Sequence, residues 1–274
     1  AYYSQSIFKQ LLTEGERYLI TVFSLLDFAE SGIYDIVNNL GSLLARFIFL
    51  PIEDASYFYF TNSFRRGTQF REQQIENREN VNKAKNYFEF LLKSLAILGV
   101  VVALFGQNYS KLLLKLYGGD RLSENALCVN MLRLHCIYIY FLAINGITEG
   151  FFNATMSESE IKKHNFRLVL FSVLFLILTF FLVKFLGIYG FLIGNCLNMT
   201  IRICFSSSYI QNFFSGFKYR EYREEEYKQN KNYNIIEILL PNSFLSIIFV
   251  LAFSITKFSE ISFGFILHFL IGAI

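Results

Sequence analysis

Long uncharged stretches alternate with short basic ones along this chain. Ser94 to Ser110 carries no charge, Leu134 to Thr148 carries only His135, and Leu168 to Val183 is almost pure Leu, Val, Ile and Phe. Phe185 to Ile201 and Ile238 to Thr256 are uncharged, although Pro241 sits near the start of the latter, and Ile261 to Ile274 is apolar to the chain end. A bilayer core about 30 Å thick takes about 20 helical residues. Two weaker segments precede these. Ser31 to Phe60 is apolar but contains Asp35, Arg46, Glu53 and Asp54, and Ser6 to Leu26 contains Glu14, Glu16 and Arg17. The pattern predicts eight spans, at about 6–27, 31–60, 87–110, 126–152, 165–184, 187–211, 234–256 and 259–274.

The charges between spans test that count. Loops rich in Lys and Arg stay cytoplasmic. Loops 61–86, 153–167 and 212–233 together hold fourteen Lys and Arg, while the opposite side holds five: Lys111, Lys115, Arg121, Lys184 and Lys257. The alternation holds at every turn and places both ends of this chain on the cytoplasmic side. Lys218 to Lys231 interleaves its cations with Glu221, Glu224, Glu225 and Glu226. That mixture reads as a solvated helix extension, with an anionic-lipid patch as the alternative. No signal peptide is visible. The chain starts with Ala and stops inside an apolar run, as expected of a piece of a longer protein.

Composition agrees. The 274 residues are 54% hydrophobic and 17% charged, with 33 Phe, no Trp and two Pro; soluble domains run at roughly 25% charged. A chain this apolar does not stay solvated and disordered, and four Cys in this length build no disulfide scaffold. The expected fold class is all-α, a polytopic membrane helical bundle. A net charge of +3 implies no nucleic-acid partner.

Polar residues inside apolar spans are costly unless they face a cavity or a partner. On the second span Asp35, Asn38, Asn39, Ser42 and Arg46 fall at i, i+3, i+4, i+7 and i+11, one continuous helical stripe. On the sixth, Asn195, Asn198 and Arg202 sit at i, i+3 and i+7. On the fourth, Asn145 and Glu149 are four apart, with Arg133 and His135 further toward the luminal end; on the first, Glu14, Glu16 and Arg17 cluster. Two readings stand: a hydrated cavity, polar enough for sugars and cationic enough for a phosphate, or interhelical glue. Arg202 could also snorkel to the cytoplasmic interface. Gly146 with Gly150, and Gly190 with Gly194, make GxxxG spacings that permit close helix packing.

Catalytic chemistry finds little support. No GxSxG, HExxH or Walker loop occurs. His135, His164 and His268 are scattered, and Cys128, Cys136, Cys196 and Cys204 lack CxxC spacing, so no metal or cofactor is expected. Of three N-x-S/T sequons, Asn153 falls on the cytoplasmic side, Asn198 in a span, and Asn108 on the luminal side but at a helix end, where glycosylation is not expected.

Several strings, in this order and spacing, resemble one family. They are Leu12-Thr-Glu-Gly-Glu-Arg-Tyr18, Tyr34-Asp-Ile-Val-Asn-Asn-Leu-Gly-Ser-Leu43, Arg46-Phe-Ile-Phe-Leu-Pro-Ile-Glu53, Leu116-Tyr-Gly-Gly119, Leu142-Ala-Ile-Asn-Gly-Ile-Thr-Glu-Gly150 and Gly194-Asn-Cys-Leu-Asn-Met-Thr-Ile-Arg202. Together they resemble the Rft family of endoplasmic-reticulum membrane proteins, from about residue 7 to residue 213; the remainder diverges more and is carried by hydropathy.

The resemblance implies membership among the multidrug/oligosaccharidyl-lipid/polysaccharide exporters. Their fold has two six-helix lobes and two extra helices around a central cavity. This chain would supply the second lobe (1–213) and the final helix pair (214–274), and its partner would be the N-terminal lobe of the same chain. The implied function is translocation of Man5GlcNAc2-diphosphate-dolichol from the cytoplasmic to the luminal leaflet for N-linked glycosylation, with no enzymatic step. The alternatives are an accessory role that binds the lipid-linked oligosaccharide without flipping it, and a small-molecule antiporter of the same superfamily.

Overall fold

A computed structural model describes residues 26–66, 70–215, 234–262 and 265–273. The expected first span lies outside the described residues except for its last two, and Glu14, Glu16 and Arg17 lie outside with it. Among the described residues every regular element is a helix. These are α1 (Phe28–Leu44), a π-helical turn (Ala45–Phe49), α2 (Leu50–Ser63), α3 (Phe70–Gly118), α4 (Asp120–Ser123), α5 (Ala126–Thr155), α6 (Glu158–Leu186), α7 (Tyr189–Ser215), α8 (Ile235–Leu239), α9 (Ser243–Ser262) and α10 (Phe265–Ala273). Five described helices are long and apolar enough to cross a membrane: 28–63, 79–118, 126–155, 158–186 and 243–262. The 27-residue α7 has sufficient length and carries Asn195, Asn198 and Arg202 within it. The protein is an all-α polytopic membrane bundle.

Local chemistry sets the helix ends. Asp27 and Glu30 form a capping box at α1, and Ser157 with Glu160 forms another at α6. The Asn125 side chain accepts hydrogen bonds from the Leu127 and Cys128 amides at the start of α5. Gly187, at φ 60°, ends α6 in a conformation that costs a glycine nothing.

Four expected boundaries shift. The basic segment 61–86, read as a loop, is helical from Phe70 onward, because α3 runs on for 49 residues. Ion pairs one turn apart, Glu79–Lys83 at 2.6 Å and Lys85–Glu89 at 3.7 Å, support that charged extension. Loop 153–167 shrinks to Met156 and Ser157, so Lys162, Lys163 and Arg167 ride on the first turns of α6. The span expected over 234–256 is broken at Leu240–Asn242, since Pro241 holds its predecessor in an extended conformation. The membrane helix begins instead at Ser243 and runs to Ser262, and the last helix starts at Phe265 rather than 259.

The long α5 is the axis of the bundle, packing against α1, α2, α3 and α7; α6 lies outside α7, α9 packs on α3, and α10 packs on α9 and bonds to α3 through His268. Two apolar clusters hold it. At the end nearer the basic segments, Phe151 of α5 meets the rings of Phe60, Phe88 and Phe214 at 5.0, 4.8 and 5.2 Å. At the other end Tyr34, Val37, Met131, Leu132, Phe191 and Leu192 are buried together. Of the two GxxxG pairs, Gly190 and Gly194 sit at a close helix contact, while a Cβ on Gly150 would meet nothing closer than 3.9 Å. A Cβ on Gly190 would lie 2.4 Å from the Val183 backbone nitrogen, and one on Gly194 2.6 Å from Thr179 Oγ1, so these two let α6 and α7 touch.

Candidate functional site

The polar stripe on α1 and the π-turn lies largely open. Asp35, Asn39 and Arg46 are exposed, and Asn38 and Ser42 are half-buried, while Tyr34, Val37 and Gly41 face the core. Ser42 donates to the Asn39 carbonyl at 3.1 Å. Among the described residues no carboxylate pairs with Arg46.

The stripe stops at Arg46 for a mechanical reason. The buried residues run Tyr34, Val37, Gly41, then Phe49, Ser56 and Phe60. Gly41 to Phe49 is eight residues, one more than two α-helical turns. The π-turn absorbs that extra residue, with the Leu50 amide bonding the Ala45 carbonyl five residues back. Pro51 accounts for its position. A proline ring inside a helix clashes with the carbonyl four residues earlier, here Phe47, and a locally widened turn relieves the clash. Arg46 and Glu53, seven apart, would share a face in an uninterrupted α-helix. The inserted residue turns them roughly 100° apart. Arg46 stays on the open stripe and Glu53 swings onto α5.

There Glu53 lies directly over Gly146: a Cβ on that glycine would sit 1.7 Å from Glu53 Oε1. Glu53 is half-buried and within electrostatic reach of Glu149, Asp54 and Arg202. One turn along α5, Asn145 donates from Nδ2 to Glu149 Oε2 at 3.0 Å, and Arg202 of α7 donates to the same oxygen through Nη2. The Glu149 and Arg202 side chains are 18% and 26% exposed. Asn145 is buried, and its Oδ1, like Arg202 Nε, has no hydrogen-bond partner among the described residues. The structure therefore brings together Asn145, Glu149 and Arg202, and adds Glu53, which the sequence reading passed over as one more charge in a weak span. Pro51 was the available signal that the α-helical spacing breaks before Glu53. Asn195 and Asn198 are half-buried on α7.

A second polar network joins α9 and α10 to the bundle. Arg133 of α5 donates to Glu260 at 2.6 Å and to the Gln107 carbonyl at 2.7 Å, and Lys257 pairs with Glu260 at 2.6 Å. Asn108 of α3 donates to Thr256 Oγ1 at 2.7 Å. His268 of α10 sits between Ser259 Oγ (3.0 Å) and the Asn108 carbonyl (3.1 Å), stacked on Tyr109 at 4.2 Å. Asn108, the asparagine of one sequon, is 1% exposed.

The whole chain, residues 1–274, matches the family described as Rft protein. The chain belongs to the Rft family. Its Rft relatives include the protein of Xenopus tropicalis named Man(5)GlcNAc(2)-PP-dolichol translocation protein RFT1, 38% identical over 96% of this chain and 45% of the relative. The mouse protein of the same name is 38% identical over 95% of this chain and 45% of its own length. That of Drosophila melanogaster is 43% identical over 77% of this chain and 38% of its own. The Rft chain described here thus spans less than half the length of these curated relatives. No solved structure matches it.

Proposed function

We propose that this chain is the C-terminal part of an endoplasmic-reticulum protein that moves Man5GlcNAc2-diphosphate-dolichol from the cytoplasmic to the luminal leaflet for N-linked glycosylation. Residues 1–213 would form the second lobe and 214–274 the final helix pair. The polar stripe of Asp35, Asn38, Asn39 and Arg46 would face the first lobe across a hydrated path. The diphosphate and sugars follow that path while the dolichol chain stays in lipid, and rocking of the lobes exposes the path to each side in turn. A guanidinium on such a path offers a bidentate fork to phosphate oxygens.

One observation carries this reading: a membrane-length helix leaves a polar stripe ending in Arg46 on the open side of the bundle. A merely structural stripe would be spent on neighbouring helices. The names of the relatives support the substrate class.

The test is complementation. The full-length protein is expressed in cells lacking their own Rft-family member, and N-glycan occupancy of a reporter glycoprotein is measured. Restored occupancy that Arg46→Ala reduces at equal expression supports the reading. Full occupancy with Arg46→Ala removes the stripe from the path.

A further inference from the structure

Glu53, Asn145, Glu149 and Arg202 bring two carboxylates and one guanidinium together inside the bundle. Their hydrogen-bonding capacity is only partly used. Glu149 Oε2 takes both the Asn145 amide and the Arg202 guanidinium. No hydrogen bond among the described residues reaches the Glu53 carboxylate. Among the described residues Asn145 Oδ1 remains an unused acceptor and Arg202 Nε an unused donor, both shut off from solvent. Asn145 as a whole is 5% exposed, so its free carbonyl is a costly omission unless something joins it.

The unmet capacity selects a ligand chemistry. Acceptors are in excess, yet a donor is also left over. A phosphate offers acceptors, so it leaves Asn145 Oδ1 and the Glu53 carboxyl oxygens without a donor. A metal cation satisfies carboxylates but meets the Arg202 charge and cannot accept from Nε. A hydroxyl both donates and accepts. Vicinal hydroxyls of a sugar can donate to Glu53 or Asn145 Oδ1 while accepting from Arg202.

The seat of Glu53 gives access. It rests on Gly146, where no side chain grips it. It is only half-buried, so a ligand can reach it first, one residue along α5 from Asn145. Arg46 stands seven residues earlier, about 10 Å along the helix axis. The π-turn thus separates a cation on the open stripe from a hydroxyl-reading group beside it.

We propose that Glu53, Asn145, Glu149 and Arg202 form a subsite for the sugar hydroxyls of a lipid-linked oligosaccharide, distinct from Arg46, which meets the diphosphate. This rests on the translocation reading above and names the part of the substrate each group recognises.

The test uses purified full-length protein in nanodiscs and two labelled probes: a short-chain isoprenyl diphosphate bearing chitobiose, and the same lipid without sugar. Glu53→Ala is expected to weaken the sugar-bearing probe about tenfold or more and leave the bare diphosphate unchanged. Glu53→Gln, which keeps an acceptor, recovers part of the loss. Gly146→Ala, which pushes the carboxylate off its seat without removing it, reproduces the selective loss. Arg46→Ala weakens both probes. Retained binding of the bare diphosphate shows that the Glu53 and Gly146 variants are folded. Equal weakening of both probes by Glu53→Ala, or no weakening of either, overturns the subsite while the translocation reading stands. Failure of the wild-type protein to bind either probe overturns both.

Discussion

Glu149 and Arg202 are mutually dependent: each is affordable in a membrane span because the other is there. Removing one partner of a buried ion pair costs about 3–5 kcal/mol, because the remaining charge is stranded. Arg202→Ala is therefore expected to lower the thermal midpoint of the full-length protein in detergent more than Glu149→Gln/Arg202→Gln together, which strands no charge. An equal loss for the two would mean that water already solvates the pair. The glycines make a sharper contrast. Gly190→Ala drives a Cβ to 2.4 Å of the α6 backbone, whereas Gly150→Ala meets nothing closer than 3.9 Å. Overpacking of the first kind costs typically 1–3 kcal/mol. Gly190→Ala should reduce folded yield in fluorescence-detected size exclusion, and Gly150→Ala should leave it unchanged.

At the scale of elements, the rod from Phe28 to Ser63 and the attachment of α9 depend on a few residues. Pro51 favours the π-turn, and the π-turn decides which way Glu53 faces. Pro51→Ala removes the clash with the Phe47 carbonyl and weakens the reason for the wide turn. The expected result is a measurable shift in the reaction rate of a cysteine placed at Phe58, beyond the turn, with none for one at Leu43, before it; both positions are exposed. Equal rates with and without Pro51 would assign the turn to packing instead. For α9, Glu260 holds Arg133 and Lys257 at once. Glu260→Ala leaves two cations without their carboxylate, and cysteine crosslinking between α9 and α3 should become less efficient. Asn108 belongs to the same junction, so endoglycosidase treatment is expected to leave no mobility difference between the wild-type protein and Asn108→Gln.

For the whole molecule, the open stripe is the feature that the described helices do not explain by themselves. Asp35, Asn39 and Arg46 are exposed on α1 and the π-turn, whereas α6 turns Leu170, Leu174, Ile177 and Phe181 outward. The proposed translocation path assigns these surfaces two surroundings, lipid for the apolar face and a hydrated space for the polar one. In the full-length protein in vesicles, a cysteine at Asn39 should react with a water-soluble maleimide, and one at Leu174 should not. Protection of both positions would mean that the stripe is packed against protein and is not part of a path.

Much of this was legible in the residues taken in order. The absence of charge over about 20 residues dictates a membrane helix whatever its neighbours, because the bilayer acts on each segment independently. The stripe from Asp35 to Arg46 follows from α-helical phase alone, as does the pairing of Gly190 and Gly194 on one face. Pro241 announced a break, yet the break moved the helix start to Ser243, because an extended Leu240 cannot be absorbed into a helix. The charged runs near Lys83 and Lys162 read as loops because hydropathy detects lipid, not helicity; a helix continues into water wherever opposite charges fall one turn apart. Other features belong to the tertiary structure only. Nothing local says that Glu149 of α5 meets Arg202 of α7, fifty-three residues away, or that Glu53 rests on Gly146. A single residue inserted into a helical turn rotates everything beyond it, and only the packed bundle shows where that rotation points. Phase within one helix is a property of its sequence, whereas the partner each face finds depends on how the helices assemble.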